Sequence, residues 1–114
     1  MSARLFRPLT LTLALLACSP AGAATVLIDV RTPAEYSEGH LEGALNIPYD
    51  EIDKRIAEAA RRDDEVIVYC RSGRRSHEAG QTLIRLGYRN VLDYGAMDDA
   101  RKRVRATPEP SQRP

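Results

Sequence analysis

The 114-residue chain has no tryptophan, one phenylalanine and two cysteines. With Phe6 close to the N-terminus, a folded core has to be built from aliphatic side chains helped by the five tyrosines, which implies modest stability. Scarce cysteine excludes a disulfide-stapled scaffold. Cys18, His40, Cys70 and His77 do not stand at metal-ligand spacing, so no metal is expected. No apolar run approaches the roughly 20 residues of a membrane-spanning helix, since the N-terminal one covers only residues 9–17. Neither sign of charge dominates, with 17 Lys and Arg against 16 Asp and Glu. That balance gives no global attraction to nucleic acid or anionic lipid. There is no internal repeat.

The first residues have the form of an export signal. Arg4 and Arg7 precede the apolar stretch Leu9 to Ala17, and Ala21 and Ala23 form the small-residue pattern that signal peptidase takes. Residues 1–23 are therefore expected to be removed, leaving a periplasmic protein with 15 basic and 16 acidic side chains, a net charge of −1. A competing reading is a lipid anchor on Cys18, because Leu15-Leu16-Ala17-Cys18 has the outline of a lipidation box, although Leu16 stands where a small residue is usual. Either outcome leaves Cys70 as a lone thiol in a compartment where cysteines normally pair, which favours a chemical role over a structural one. Residues 24–106 suffice for one domain and not for two. Residues 107–114, with three prolines, read as a disordered tail.

Within the domain, Val26-Leu27-Ile28-Asp29-Val30, an apolar run broken by one Asp, and Val66-Ile67-Val68-Tyr69 are typical of strands buried on both faces. Thr32-Pro33-Ala34-Glu35 predicts a capped helix start with an end near Gly39. Leu45-Asn46-Ile47 predicts a short strand, and Asp50 a cap for a helix carrying Ile52 and Ile56. A further helix is expected from near Ser76 through Leu86, stopped by Gly87. Asn90-Val91-Leu92 predicts a last strand, Gly95 a turn, and Met97 to about Val104 a final helix. Strands alternating with helices give an α/β sandwich around a small, mainly parallel sheet.

Between the second strong strand and its helix lies Cys70-Arg71-Ser72-Gly73-Arg74-Arg75-Ser76. The glycine and three arginines predict an exposed loop whose N–H groups, helix N-terminus and cations all favour a thiolate. In a parallel sheet, loops leaving the carboxyl ends of strands line the ligand crevice, so Asp29-Val30-Arg31 is expected to meet the Cys70 loop in space.

Three linked segments carry a resemblance: Asp29 to Tyr36, Gly39 to Pro48, and Tyr69 to Ser76. In this order, from about Val26 to Gly95, the chain resembles a single-domain rhodanese. The resemblance implies a three-layer rhodanese sandwich and thiosulfate sulfurtransferase activity. Cys70 would be the nucleophile that becomes a persulfide, with Arg71, Ser72, Gly73, Arg74, Arg75 and Ser76 binding the substrate anion. Thiosulfate is the implied donor and cyanide or a thiol the acceptor. No cofactor, no nucleic-acid partner, no transmembrane segment in the mature chain and a monomeric state are expected. One departure stands out, since the family often has two adjacent glycines after the last strand and here Gly95 is followed by Ala96.

Other residues have plainer readings. Asp29 and Arg31 are expected to support the loop rather than perform chemistry. His40 reads as a hydrogen-bonding residue of its turn and His77 as part of a solvated first turn. Arg101, Lys102, Arg103 and Arg105 read as a solvated helix face offset by Asp98 and Asp99. Two rival functions share features with this chain. A cysteine phosphatase or arsenate reductase needs Arg six positions after Cys, where this chain has Ser76. A rhodanese-fold binding module without catalysis would not need an intact Cys70 loop.

Overall fold

The computed structural model describes residues 23–106. Residues 1–22 of the expected 1–23 leader, Cys18 among them, and the 107–114 tail lie outside the described residues. Four strands form one sheet in the order β2-β1-β3-β4, with β1 at Thr25–Asp29, β2 at Leu45–Asn46, β3 at Glu65–Cys70 and β4 at Asn90–Ala96. All three pairings are parallel. The central strands β1 and β3 run in register from Thr25 opposite Glu65 to Asp29 opposite Tyr69.

Side chains alternate across this sheet, which separates the core into two layers. Ile28, Val30, Val66, Val68 and Cys70 share one cluster with Ile52 and Ile56 of α2 (Ile52–Ala59) and Ala79 and Leu83 of α3 (Arg74–Arg85). Tyr69 and Leu27 join a second cluster with Tyr36 of α1 (Pro33–Glu38), Leu41, Ala44, and Met97, Ala100 and Val104 of α4 (Met97–Ala106). Helix pairs on both faces of a parallel sheet make the expected three-layer α/β sandwich.

The predicted capping box forms. Thr32 Oγ1 accepts from the Glu35 N–H and Glu35 Oε1 accepts from the Thr32 N–H, both at 3.2 Å, with Pro33 in the first turn. Asp50, in contrast, caps nothing. A 3-10 turn over Tyr49–Glu51, closed by Glu51 N–H on Pro48 O at 2.8 Å, runs straight into α2, so Asp50 lies inside the helical run.

Two boundaries near the Cys70 loop also differ from the sequence reading. β3 extends through Cys70, and α3 starts at Arg74 rather than near Ser76, because Gly73 turns the chain with φ 102° immediately before it. β4 continues past Leu92 to Ala96 through a bulge that pairs Val68 with Asp93 and Tyr69 with Gly95, leaving Tyr94 unopposed. Gly95 is thus a bulge residue within the strand, held at φ 73° with its N–H on the Asp93 carboxylate at 2.9 Å. His40 stacks on Tyr36, with ring centroids 3.7 Å apart, and its Nδ1 lies 2.9 Å from Tyr36 O, in line with its plain reading.

Candidate active site

Cys70 is the last residue of β3, and its position on the strand decides where its sulfur goes. It follows Val66 and Val68 at two-residue intervals, so its side chain faces the α2–α3 layer and is fully buried. The exposed loop predicted from the arginines begins one residue later; Arg71 and Ser72 are exposed, while the thiol lies beneath them. Among the described residues Cys70 is the only free cysteine.

The sulfur has two polar neighbours. Gly73 N–H points at Sγ from 2.9 Å, and Ser76 Oγ lies 3.5 Å away while hydrogen-bonded to Gly73 O at 3.1 Å. Burial is the largest single influence on the thiol and pushes its pKa up. The Ser76 hydroxyl and the N–H groups of Ser76, Gly73 and Ser72 together outweigh it, so the thiol ionises below its ordinary value. A left-handed glycine is what allows this inward turn of N–H groups: Gly73 is at φ 102°, and a Cβ there would lie 3.9 Å from Gly95 Cα on the neighbouring strand.

The three arginines divide their work. Arg75 makes two hydrogen bonds to Glu35, at 2.7 and 3.0 Å, and Arg74 pairs with Glu78 at 3.1 Å and lies over the Tyr49 ring. Arg71 has no ion pair among the described residues. It lines a cleft of about 310 Å³ with Arg31, Glu35, Glu38, Met97 and Asp98. Arg31, Arg71 and Met97 follow β1, β3 and β4 respectively, so the cleft lies at the carboxyl ends of three parallel strands, where ligands of such sheets bind.

Asp29 and Arg31 are brought to the same end of the sheet, since Val30 N–H bonds to Tyr69 O at 3.0 Å. Asp29 is wholly buried and receives Arg31 at 2.7 Å; the guanidinium also donates to Gly39 O. Asn46 donates to both Asp29 O and Arg31 O, so the pair fixes the turn between β1 and α1.

Glu35 was visible in the sequence only as a capping residue. It lines the same cleft as Arg71, and Arg75, chiefly, together with its Thr32 hydrogen bonds, holds its carboxyl down at about 2 against the opposing effect of burial. Tyr69 is a second residue that the sequence reading left as plain strand. Its buried hydroxyl accepts the Leu41 N–H at 3.0 Å and anchors the turn that follows α1. The signal for Glu35 was positional: a carboxylate after one strand end faces an arginine loop just after the adjacent one.

Ser76, six residues after Cys70, presents a hydroxyl to the sulfur, while Arg75 leads away to Glu35. The loop therefore has no guanidinium closing over the thiol from that sixth position, as a phosphatase loop requires. Among the described residues no group of His, Cys, Asp and Glu forms a metal site, and no helix is long and apolar enough to cross a membrane.

Comparison with known proteins gives a consistent picture. The model of the rhodanese-like domain matches residues 14–98. The chain is 42% identical over 96 residues to the thiosulfate sulfurtransferase PspE of Escherichia coli K12, covering 83% of this chain and 92% of that protein. It is 43% identical over 68 residues to a sulfurtransferase of Allochromatium vinosum, covering 60% of this chain and 63% of that one. Among solved structures it is similar to an E. coli rhodanese with anions, with a TM-score of 0.64, 43% identity and coverage of 67% of this chain and 91% of that chain. It is also similar to the human single-domain sulfurtransferase TSTD1, with a TM-score of 0.59, 30% identity and coverage of 73% and 85%.

Proposed function

Since the chain belongs to the rhodanese family of sulfurtransferases, we propose that it moves sulfane sulfur from thiosulfate to cyanide or a thiol through a persulfide on Cys70. The observation that carries this reading is the Gly73 N–H aimed at the Cys70 sulfur with the Ser76 hydroxyl beside it, surroundings that lower its pKa despite full burial. Thiolate is the nucleophilic form, so ionisation without a partner base is what the first step needs.

In that step the Cys70 thiolate attacks the outer sulfur of thiosulfate. The sulfur–sulfur bond of thiosulfate breaks, its electron pair leaves on sulfite, and Cys70 carries a persulfide anion. The N–H groups of Ser72, Gly73 and Ser76 that stabilise the thiolate are suited to stabilise that anion also. In the second step cyanide or an acceptor thiolate attacks the outer sulfur, taking it as thiocyanate or as an acceptor persulfide, and the Cys70 thiolate returns. No electrons are needed from outside and no cofactor takes part.

Arg71 is assigned to the incoming anion. It is exposed and lines the cleft, whereas the charges of Arg74 and Arg75 are already matched by Glu78 and Glu35. Asp29 and Arg31 keep the neighbouring turn in place. The protein is proposed to act as a periplasmic monomer after loss of residues 1–23, with 24–106 as its single domain and 107–114 as a tail. Turnover of thiosulfate and cyanide to thiocyanate and sulfite by wild type, and its loss in Cys70→Ser, tests the reading. Full turnover in Cys70→Ser would refute it.

A further inference from the structure

Asp64 is only 6% exposed, yet among the described residues no Lys, Arg or His side chain forms an ion pair with it. A carboxylate that deep is ordinarily matched by a cation. Its two oxygens are held by backbone N–H groups instead. Oδ2 accepts from Arg61 at 2.7 Å, and Oδ1 accepts from Ala24 at 2.9 Å. Those bonds, Arg61 first and Ala24 second, keep Asp64 ionised below its usual range.

Ala24 is the residue that immediately follows the Ala21-x-Ala23 pattern. Its carbonyl accepts from Glu65 N–H at 2.9 Å, and β1 begins at the next residue, in register with Glu65. The nitrogen that faces Asp64 is therefore fixed from both sides, and it is the nitrogen that signal removal would convert from an amide to an α-ammonium.

We propose that Asp64 is a receiving site for the mature N-terminus: cleavage between Ala23 and Ala24 places the new α-ammonium group on the Asp64 carboxylate and completes its charge. The inference rests on the reading of residues 1–23 as a signal. It adds that processing stabilises the fold, since a carboxylate that feels the Arg61 charge but makes no ion pair gains a contacting cation when the leader leaves. Other charged or titratable groups near the pair are Glu58 and Arg61, which line the same hollow, Glu65, which receives the Thr25 hydroxyl, and Tyr88, which feels the Asp64 charge.

The sign of the effect follows from the charge. An α-amino group gaining a carboxylate has its pKa raised above the ordinary 7.7 to 8.0, so the stabilisation is complete below that range and is lost as pH rises through the raised value. The test uses protein exported from the full-length precursor. Intact mass is first read for the N-terminus, and the α-amino group is then titrated by NMR in wild type and Asp64→Asn. A companion chain carries four extra residues before Ala24, which moves the ammonium up to about 14 Å along the chain while leaving the Ala24 N–H in place.

The expected results are a chain starting at Ala24, an α-amino pKa above 8.0 that falls back in Asp64→Asn, and a melting temperature a few degrees above that of the extended chain at pH 6.5. That difference should vanish by pH 10.5. A different N-terminus would overturn the processing site alone. An Ala24 chain whose α-amino group titrates normally, or melts as the extended chain does at pH 6.5, would overturn the role of Asp64.

Discussion

Arg75 places two guanidinium nitrogens on the carboxylate of Glu35, 2.7 and 3.0 Å away and 40 residues distant in sequence. Both side chains are less than a quarter exposed, and Glu35 also closes the cap of α1. The pair clamps the β1–α1 turn to the first turn of α3, which starts just beyond the Cys70 loop. Glu35→Gln is expected to lower stability by about 1 kcal/mol and the melting temperature by about 4–8 °C. Because the folded carboxyl is held at about 2, its contribution is present above its ordinary value near 4.5 and fades as pH falls from there toward 2. Denaturation between pH 2 and 7 should therefore show a shallower acid loss in Glu35→Gln than in wild type.

The Ser76 hydroxyl is the largest of the influences that lower the Cys70 pKa. Ser76→Ala should raise it, leaving less thiolate at low pH. The acid limb of the pH–rate profile then moves upward, with a larger loss of rate at pH 6 than at pH 9. Ultraviolet titration of the thiolate on the same samples should move in parallel.

Arg71 and Arg74 are both exposed, but only Arg71 lines the cleft without a carboxylate partner. Arg71→Ala should raise KM for thiosulfate about tenfold, the loss of one charge-assisted contact, with kcat nearly unchanged. Arg74→Ala should change KM by no more than about twofold, as expected when an exposed pair is removed. Steady-state kinetics at fixed ionic strength separates the two.

Asp29 and Arg31 form a buried pair, with side chains 0% and 8% exposed. Asp29→Asn leaves the guanidinium buried without its counter-charge, which should cost about 3–5 kcal/mol. Chemical denaturation reads this directly, and a loss below about 1 kcal/mol would contradict the packing described above.

The parts of the fold legible in the sequence were those governed by local rules. Val66 to Tyr69, and Val26 to Val30 apart from Asp29, are apolar because both faces of the central strands are covered. The Thr32–Glu35 cap forms from four consecutive residues. The edges were less legible, since β4 depends on a bulge at Gly95 that only its pairing with β3 reveals. The depth of Cys70 was misjudged because neighbouring arginines suggest water, whereas the alternation Val66, Val68, Cys70 points the thiol inward. No local pattern predicts that Arg75 turns to Glu35 and leaves Arg71 for the cleft, because that choice is made by contacts across 40 residues.

The buried sulfur of Cys70 is proposed to accept and pass on a single sulfur atom. Intact mass spectrometry of the protein after brief exposure to thiosulfate tests it most directly. The predicted result is a gain of one sulfur atom located on Cys70, lost on addition of cyanide and never formed in Cys70→Ser. An unchanged mass in the wild type, or the same gain in Cys70→Ser, would contradict it.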